Sequence, residues 1–554
     1  MNKTLDELEN EYTDAEPVPT RRLASRRGSD GCGKCDDLVI IGVSASPKEL
    51  LDQVEERRVA VTEALEPDQQ AKLGQYFTPM PVANFIASQI RLPDEGTLRI
   101  LDPGAGVGSL AAALIARVVT ERPTVHLEVT ALEVDHRVIP ALERTMADCE
   151  TLAAELGSSV TTTVVHEDFI EWAAGGEQLG AEGREPFDVV VLNPPYGKLA
   201  RASTHRALVR QATCEVPNTY AAFLALSTHV LAEGGQLAAI TPRSFTNGTY
   251  FLPFREYLLK CLRFDRIHVY DARNKVFAET KVLQENVVFA ATRDSTGQQP
   301  DVIVSASESH GGEVRQRTVP WKSIVYPDDP QLFLHINVDE RDVELAERLA
   351  SLPLRLPELQ LDVATGRVVD FRAKEHLRSE PVPGSVPLIY PLHMRGGQVK
   401  WPVEGARKPN AIVFNDQTRK LTFPAGHYVV VRRMSSKEEP RRVVAAVFDA
   451  DQVPCDAIGF ENHVNVFHAA GRGLPKELAR GLCLWLNSTL LDEFLRRFSG
   501  HTQVNATDLR NLRYPNTTQL VAVGRAWDGT TWLGQDKIDA LVAEHITGEA
   551  PTNA

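Results

Sequence analysis

Cysteine is scarce in this 554-residue chain. There are seven, odd in number and scattered at Cys32, Cys35, Cys149, Cys214, Cys261, Cys455 and Cys483. That excludes a disulfide framework and fits a reducing cytoplasm. Cys32-Gly-Lys-Cys35 is a lone CxxC with no second pair, too little for a zinc site. No apolar run is long enough to span a bilayer, and no charged-then-apolar N-terminal stretch reads as a secretory signal. An excess of positive charge is missing too, since the net is −14. Its distribution matters more than its sum. Residues 351–520 hold 23 Lys and Arg against 17 Asp and Glu, which leaves about −20 on the rest. A basic region on an acidic body still presents a local potential suited to a polyanion. Internal repeats, low-complexity tracts and the dinucleotide fingerprint GxGxxG are also lacking.

What is present is a rhythm. Residues 1–45 are polar, with Arg21, Arg22, Arg26 and Arg27 among Ser and Gly, and read as a mobile tail. A helix is expected at 48–65. From 98 onward, β-branched strands (98–102, 127–132, 160–165, 187–192, 236–241, 266–270, 286–292) alternate with helices (80–90, 109–119, 136–156, 218–232, 253–262). This alternation predicts an α/β fold, a mostly parallel Rossmann-like sheet with helices on both faces. Such sheets bind ligands at the carboxyl ends of their strands. After about 340 the pattern turns to Pro, Gly and short strands (384–402, 426–434, 443–448), with helices again at 474–497. The division expected is a sheet domain over 46–335, an irregular α+β domain over 340–520 and a tail over 521–554.

Two strand ends carry the chemistry. Leu98–Leu101 runs into Asp102-Pro-Gly104-Ala-Gly106-Val-Gly108. Glycines there let the backbone turn tightly and let a ligand lie against bare peptide. Asp102 beside them disfavours a pyrophosphate and suits a cationic, amino-bearing ligand such as S-adenosylmethionine. The next strand ends in Glu133-Val-Asp135, where an acid is suited to both ribose hydroxyls, Glu133 first and Asp135 as fallback. The third runs into Asp168-Phe169, for an adenine amino group and the ring face; each acid alone is equally an N-cap. The second motif is Asn193-Pro194-Pro195-Tyr196, closing Phe187–Leu192. It offers an amide side chain, a carbonyl and an aromatic ring, an acceptor set for a flat –NH2 group. Upstream, Gly74-Gln75-Tyr76-Phe77-Thr78-Pro79 reads as a helix entrance, with Thr78 as N-cap and Pro79 at the first turn, and as a lid over the methionine end of the cofactor.

Taken in order, GQYFTP, DPGAGVGSL, LEVD, EDF and VLNPPYG resemble the gamma-class adenine-N6 DNA methyltransferases of type II restriction–modification systems, the TaqI-like and PstI-like group. The resemblance covers residues 70–300, with weaker echoes at Thr365–Arg372 and Gly500–Asn505. It implies a C-terminal target-recognition domain, double-stranded DNA as partner, a short palindromic site, a cognate restriction endonuclease and S-adenosylmethionine as cofactor. It also implies a second stacking aromatic at Phe251, with Phe245 and Tyr250 as alternatives.

The implied chemistry is specific. Asn193 Oδ1 and the Pro194 carbonyl accept the hydrogens of an adenine amine, Tyr196 and Phe251 stack on the flipped base, and no metal is called for because the leaving thioether is neutral. Phosphate contacts are expected from Arg432, Arg433, Lys437, Arg441, Arg442, Arg496 and Arg497, and base or backbone contacts from His501, Gln503 and Asn505. Modifying each strand in turn allows a monomer. Rival readings are a modification subunit that borrows a partner's specificity, a protein-glutamine methyltransferase, and a DNA-binding protein without catalysis. The size of the second domain argues against the first two, and the cofactor motifs against the third.

Overall fold

The computed structural model describes residues 46–66, 70, 74–175, 185–270, 286–308, 312–435, 439–498 and 503–548. The polar segment 1–45 with its arginines, Cys32 and Cys35 lies outside them, as do Lys437 and His501 and the side chain of Arg497.

A nine-stranded sheet organises the first part. In chain order its strands are β1 Gly96–Pro103, β2 Val125–Leu132, β3 Val160–Val165, β4 Phe187–Leu192, β5 Leu231–Pro242, β6 Leu262–Tyr270, β7 Asn286–Arg293, β8 Val302–Ser307 and β9 Arg315–Val319. Their spatial order is 3-2-1-4-5-7-6-8-9. Strands 3, 2, 1, 4 and 5 pair in parallel, while β7 is antiparallel to both of its neighbours. All seven expected strands are present. The last two, β8 and β9, were missing from the sequence reading and extend the edge beyond β6.

The sheet is buried on both sides, and strand periodicity shows how. In β4, Val189 and Val191 face one core with Ile100, Ala238 and Ile240. Val190 and Leu192 face the other with Leu101, Leu237 and Ala239. A continuous apolar strand is therefore two alternating half-strands, each covered by its own helices. Helices α1 Pro47–Ala64, α2 Met80–Ser88, α3 Ser109–Glu121 and α4 Ile139–Glu155 cover the first face. Helices α5 Phe169–Ala174, α6 Thr204–Ala212, α7 Thr219–Val230 and α8 Leu252–Cys261 cover the second. Their entrances carry ordinary caps. Ser46, Ser203 and Asn218 each accept a backbone N–H in the first turn of α1, α6 and α7, worth about 1 kcal/mol apiece.

Among the described residues beyond 340 the chain builds three further sheets, of two, six and five strands, around their own apolar clusters. The expected tail is a correction. Helices Thr517–Arg525 and Gln535–Val542 and the stretch between them bury Leu520, Val523, Trp527, Ile538 and Val542 in one core with Leu482 and Trp485. Helix Thr517–Arg525 lies so close to helix Lys476–Leu486 that a Cβ on Gly481 would stand 1.7 Å from the Leu520 carbonyl oxygen. One on Gly524 would stand 1.9 Å from that of Glu477. Short polar stretches on either side of Trp532 and Leu533 break up the apolar pattern and hide this from composition. Among the described residues no helix is long and apolar enough to cross a membrane.

Candidate functional site

The order of the sheet makes the site. β1 and β4 are immediate parallel neighbours, paired at Ile100–Val189 and Leu101–Val190, so the glycine loop after β1 and the Asn-Pro-Pro-Tyr turn after β4 emerge side by side. This is also where the strand order reverses, and the crevice of such a sheet opens there.

The glycine loop is shaped by contacts that need bare backbone. Gly104, Gly106 and Gly108 all have left-handed φ (71°, 56° and 87°). A Cβ at Gly106 would meet the Phe77 ring at 2.6 Å. The loop is pinned to the end of β2 by Ala105 N–H donating to the Leu132 carbonyl (2.8 Å) and Gly106 N–H donating to Glu133 Oε2 (2.9 Å). Glu133 also accepts from Val134 and Asp135 N–H, both at 2.9 Å. Burial raises its pKa, and the three backbone donors oppose that rise. A single cavity is walled by Gly74–Thr78, Gly104–Val107, Ser109, Leu110, Leu132–Val134, Glu167–Phe169, Asn193, Pro195 and Phe223. Its wall holds buried polar atoms with no partner among the described residues, Ser109 Oγ and Gln75 Oε1. An acid, a bare-peptide floor and unsatisfied polar atoms in one cleft fit a ligand with amino, hydroxyl and flat ring groups, the chemistry expected of S-adenosylmethionine.

Several expected residues have other roles. Asp102 is 1% exposed and does not line the cavity. Its Oδ2 accepts from Ala111 N–H (3.1 Å), capping α3 because the N-cap residue, Gly108, has no side chain to do so. Burial pushes its pKa up to about 7, against the pull of that hydrogen bond, with a smaller push from Glu133. Asp135 is held by Arg137 and Gln75, well below the usual carboxylate range, and also misses the cavity. Asp168 caps α5 through Ile170 and Glu171 N–H (2.8 and 3.1 Å) while forming part of the wall. Phe169 packs on Phe223, ring centroids 4.9 Å apart. Thr78 is not an N-cap. Pro79 occupies that position, outside the cavity wall, and the first free amide of α2, Met80 N–H, donates instead to Glu55 Oε2 (2.9 Å).

Thr78 turns the other way, toward the tetrapeptide. Asn193 Nδ2 donates to the Tyr76 carbonyl (2.7 Å) and to Thr78 Oγ1 (3.1 Å). A peptide carbonyl only accepts, so the amide orientation is fixed and Asn193 Oδ1 is the end left as acceptor. That oxygen takes a hydrogen bond from the Tyr196 hydroxyl (3.1 Å). Tyr196 N–H reaches back to the Gly74 carbonyl (3.4 Å). Behind Tyr196 the aromatics form a series. Its ring meets Tyr220 edge-on at 6.4 Å, and Tyr220 stacks on Phe251 at 5.6 Å. Phe251 is therefore buried against Tyr220 rather than facing Tyr196. Tyr220, hydrogen-bonded to Ser244 Oγ (2.7 Å), was overlooked because an aromatic in an all-apolar helix carries no local signal. Phe245 is buried, whereas Tyr250 is 80% exposed.

Most of the expected phosphate contacts are structural. Arg442 is fully buried and donates to the Gln503 carbonyl. Arg441 is spent on Gln535 and on the carbonyls of Asn487 and Ser488. Arg496 binds Asp492 and the Glu439 carbonyl, Arg432 pairs with Glu439, and Arg433 donates to the Asn462 carbonyl. Asn505 caps the helix Ala506–Asn511, and Gln503 bridges to Met434. The basic side chains left exposed and without a described ion pair include Arg201 and Arg210, just after the tetrapeptide. Arg372 lies over the exposed ring of Phe371.

The Eco57I restriction-modification methylase family model matches residues 141–277. Type II methyltransferase M.BsuBI of Bacillus subtilis is 38% identical over 90% of this chain and 99% of its own length. Type II methyltransferase M.PstI of Providencia stuartii is 38% identical over 89% of this chain and 96% of its own. Among solved structures, the DrdV–DNA complex aligns with 86% of this chain and 59% of that one, at 15% identity and a TM-score of 0.48.

Proposed function

This chain belongs to the type II restriction–modification methyltransferases, and on that premise we propose that it methylates N6 of adenine in a specific duplex DNA site, with S-adenosylmethionine as donor. The observation that carries the reading is the fixed Asn193 amide, its nitrogen tied to Tyr76 and Thr78 so that its oxygen is the acceptor, in a cleft it shares with the glycine loop.

The cofactor supplies a methyl group on a positively charged sulfur. Glu133 and the backbone of Gly104–Val107 would hold its ribose end, Asp168 and Phe169 its adenine, and the Gly74–Thr78 wall its amino-acid end. An adenine amine is a poor nucleophile because its lone pair is delocalised into the ring. Asn193 Oδ1 and the Pro194 carbonyl accept its two hydrogens, which localises the lone pair; positioning of this kind is worth several kcal/mol. The amine takes the place on Oδ1 held by the Tyr196 hydroxyl. Extruding the base costs a few kcal/mol, and stacking on Tyr196 returns about 1–3 kcal/mol. The Tyr220–Phe251 stack backs that ring. DNA is gripped by exposed basic groups such as Arg201, Arg210 and Arg372, and the region beyond 340 reads the sequence.

The test is transfer of labelled methyl groups into duplex DNA, with single-molecule sequencing of the product. Wild-type protein places N6-methyladenine at one sequence context, and Asn193→Ala abolishes transfer while still binding cofactor. Methylated cytosine, or full activity in Asn193→Ala, refutes the reading.

A further inference from the structure

We propose that Thr78 is a positioning residue for the methyl acceptor: its hydroxyl oxygen, on the wall of the cofactor cleft, aims the Asn193 carboxamide, so that cleft and acceptor move as one unit. The inference rests on the reading above that Asn193 Oδ1 receives the substrate amine.

A carboxamide can present either end, and only its surroundings choose. Here the choice is made by the segment 74–79, which belongs to neither strand that carries the site. Tyr76 supplies a carbonyl at 2.7 Å and Thr78 an Oγ1 at 3.1 Å, one for each amide hydrogen of Asn193. The Tyr76 carbonyl fixes which end is nitrogen. Thr78 fixes the second hydrogen and with it the tilt of the amide plane, hence the direction of Oδ1.

The same segment is tied at both margins of the cleft. On the tetrapeptide side, Gly74 lies so close to Tyr196 that a Cβ would stand 2.7 Å from Tyr196 N, and its carbonyl accepts from that nitrogen. On the β2 side, Gln75 Nε2 donates to Asp135 (3.0 Å) and the Phe77 ring closes over Gly106. Thr78 is 5% exposed, and its Oγ1 donates to no described protein acceptor, which leaves that hydrogen to the cleft. A hydroxyl that donates on one side becomes a stronger acceptor on the other. Filling the cleft thus tightens the hold on Asn193.

The test separates aim from affinity. Thr78→Val keeps the shape and removes the acceptor; Thr78→Ala and Thr78→Ser follow in case valine strains the wall. Turnover at saturating S-adenosylmethionine and DNA is measured beside the Kd for S-adenosylhomocysteine by calorimetry. Expected is a fall in kcat of about tenfold for Val and Ala, the scale of a misaligned acceptor, beside a Kd weakened by about three- to tenfold as the hydroxyl's own bond to the ligand is lost, and recovery of kcat to within about twofold by Ser. A loss confined to Kd with kcat unchanged, or failure of Ser to restore kcat, overturns the proposal and leaves Thr78 as cleft wall only. Asn193→Ala run alongside keeps the two readings apart: if it retains wild-type turnover, the function itself is wrong, whatever Thr78 does.

Discussion

Replacing Asp102 with Asn should stabilise the protein, and do so only as the pH rises. The carboxyl group is fully buried under the glycine loop and is pushed up to about 7 from 3.8. Between those values the folded chain holds a proton that the unfolded chain has released. Stability therefore declines as pH rises from about 4 to about 7 and is level above. That rise corresponds to about 4 kcal/mol if the loop stays dry. Asparagine keeps an oxygen for Ala111 N–H, so the cap on α3 survives, but it cannot ionise. Urea unfolding of both proteins without cofactor, at pH 5, 6, 7 and 8, reads the effect as a midpoint difference. The gain should be about a third of its full size at pH 5, grow to pH 7 and then level off. A difference independent of pH, or a loss of stability at pH 8, would show that Asp102 is ionised and compensated in the fold, and the account of the loop would fail.

Gly106→Ala forces a Cβ into the Phe77 ring at a left-handed φ; calorimetry should show cofactor affinity weakened by about tenfold or more. Gly481→Ala drives a methyl group into the Leu520 carbonyl, so unfolding should reveal a loss of about 3 kcal/mol or more with the cofactor cleft untouched. Arg442→Met should lower thermal stability, because a buried donor to the Gln503 carbonyl is removed, whereas the double change Arg201→Ala and Arg210→Ala should leave stability intact. That double variant should weaken DNA binding and lower the slope of log affinity against log salt by about 2, roughly one per phosphate contact; an unchanged slope would remove both residues from the interface.

The strands that build the cleft were legible because each is a short β-branched run closed by a turn, and those turns carry the motifs. Their neighbours in space were not. Thr78 before a proline looks like a cap by every local rule, and only the fold brings Asn193 within reach of it. Asp102 looks exposed to a ligand until α3 is seen to lack its own capping side chain. The arginines tell the same story: Arg442 and Arg201 are indistinguishable as letters, yet one lies in a core and the other in water. A cation's role is decided by what packs around it, which a local window does not contain. The helices after 520 were hidden because the apolar residues from Trp527 to Ile538 are interrupted by Gly, Thr and Asp, and their partners on helix Lys476–Leu486 lie far upstream in the chain.

The pairing of β1 with β4 has a consequence for how this site can change. The distance between the two reacting regions is set by a ladder of backbone hydrogen bonds, whose repeat is two residues, or about 6.6 Å. It has no intermediate settings. Drift in the covering helices can retune the walls by tenths of an ångström, but the separation itself is held like a gear on its teeth, either engaged or displaced by a whole step.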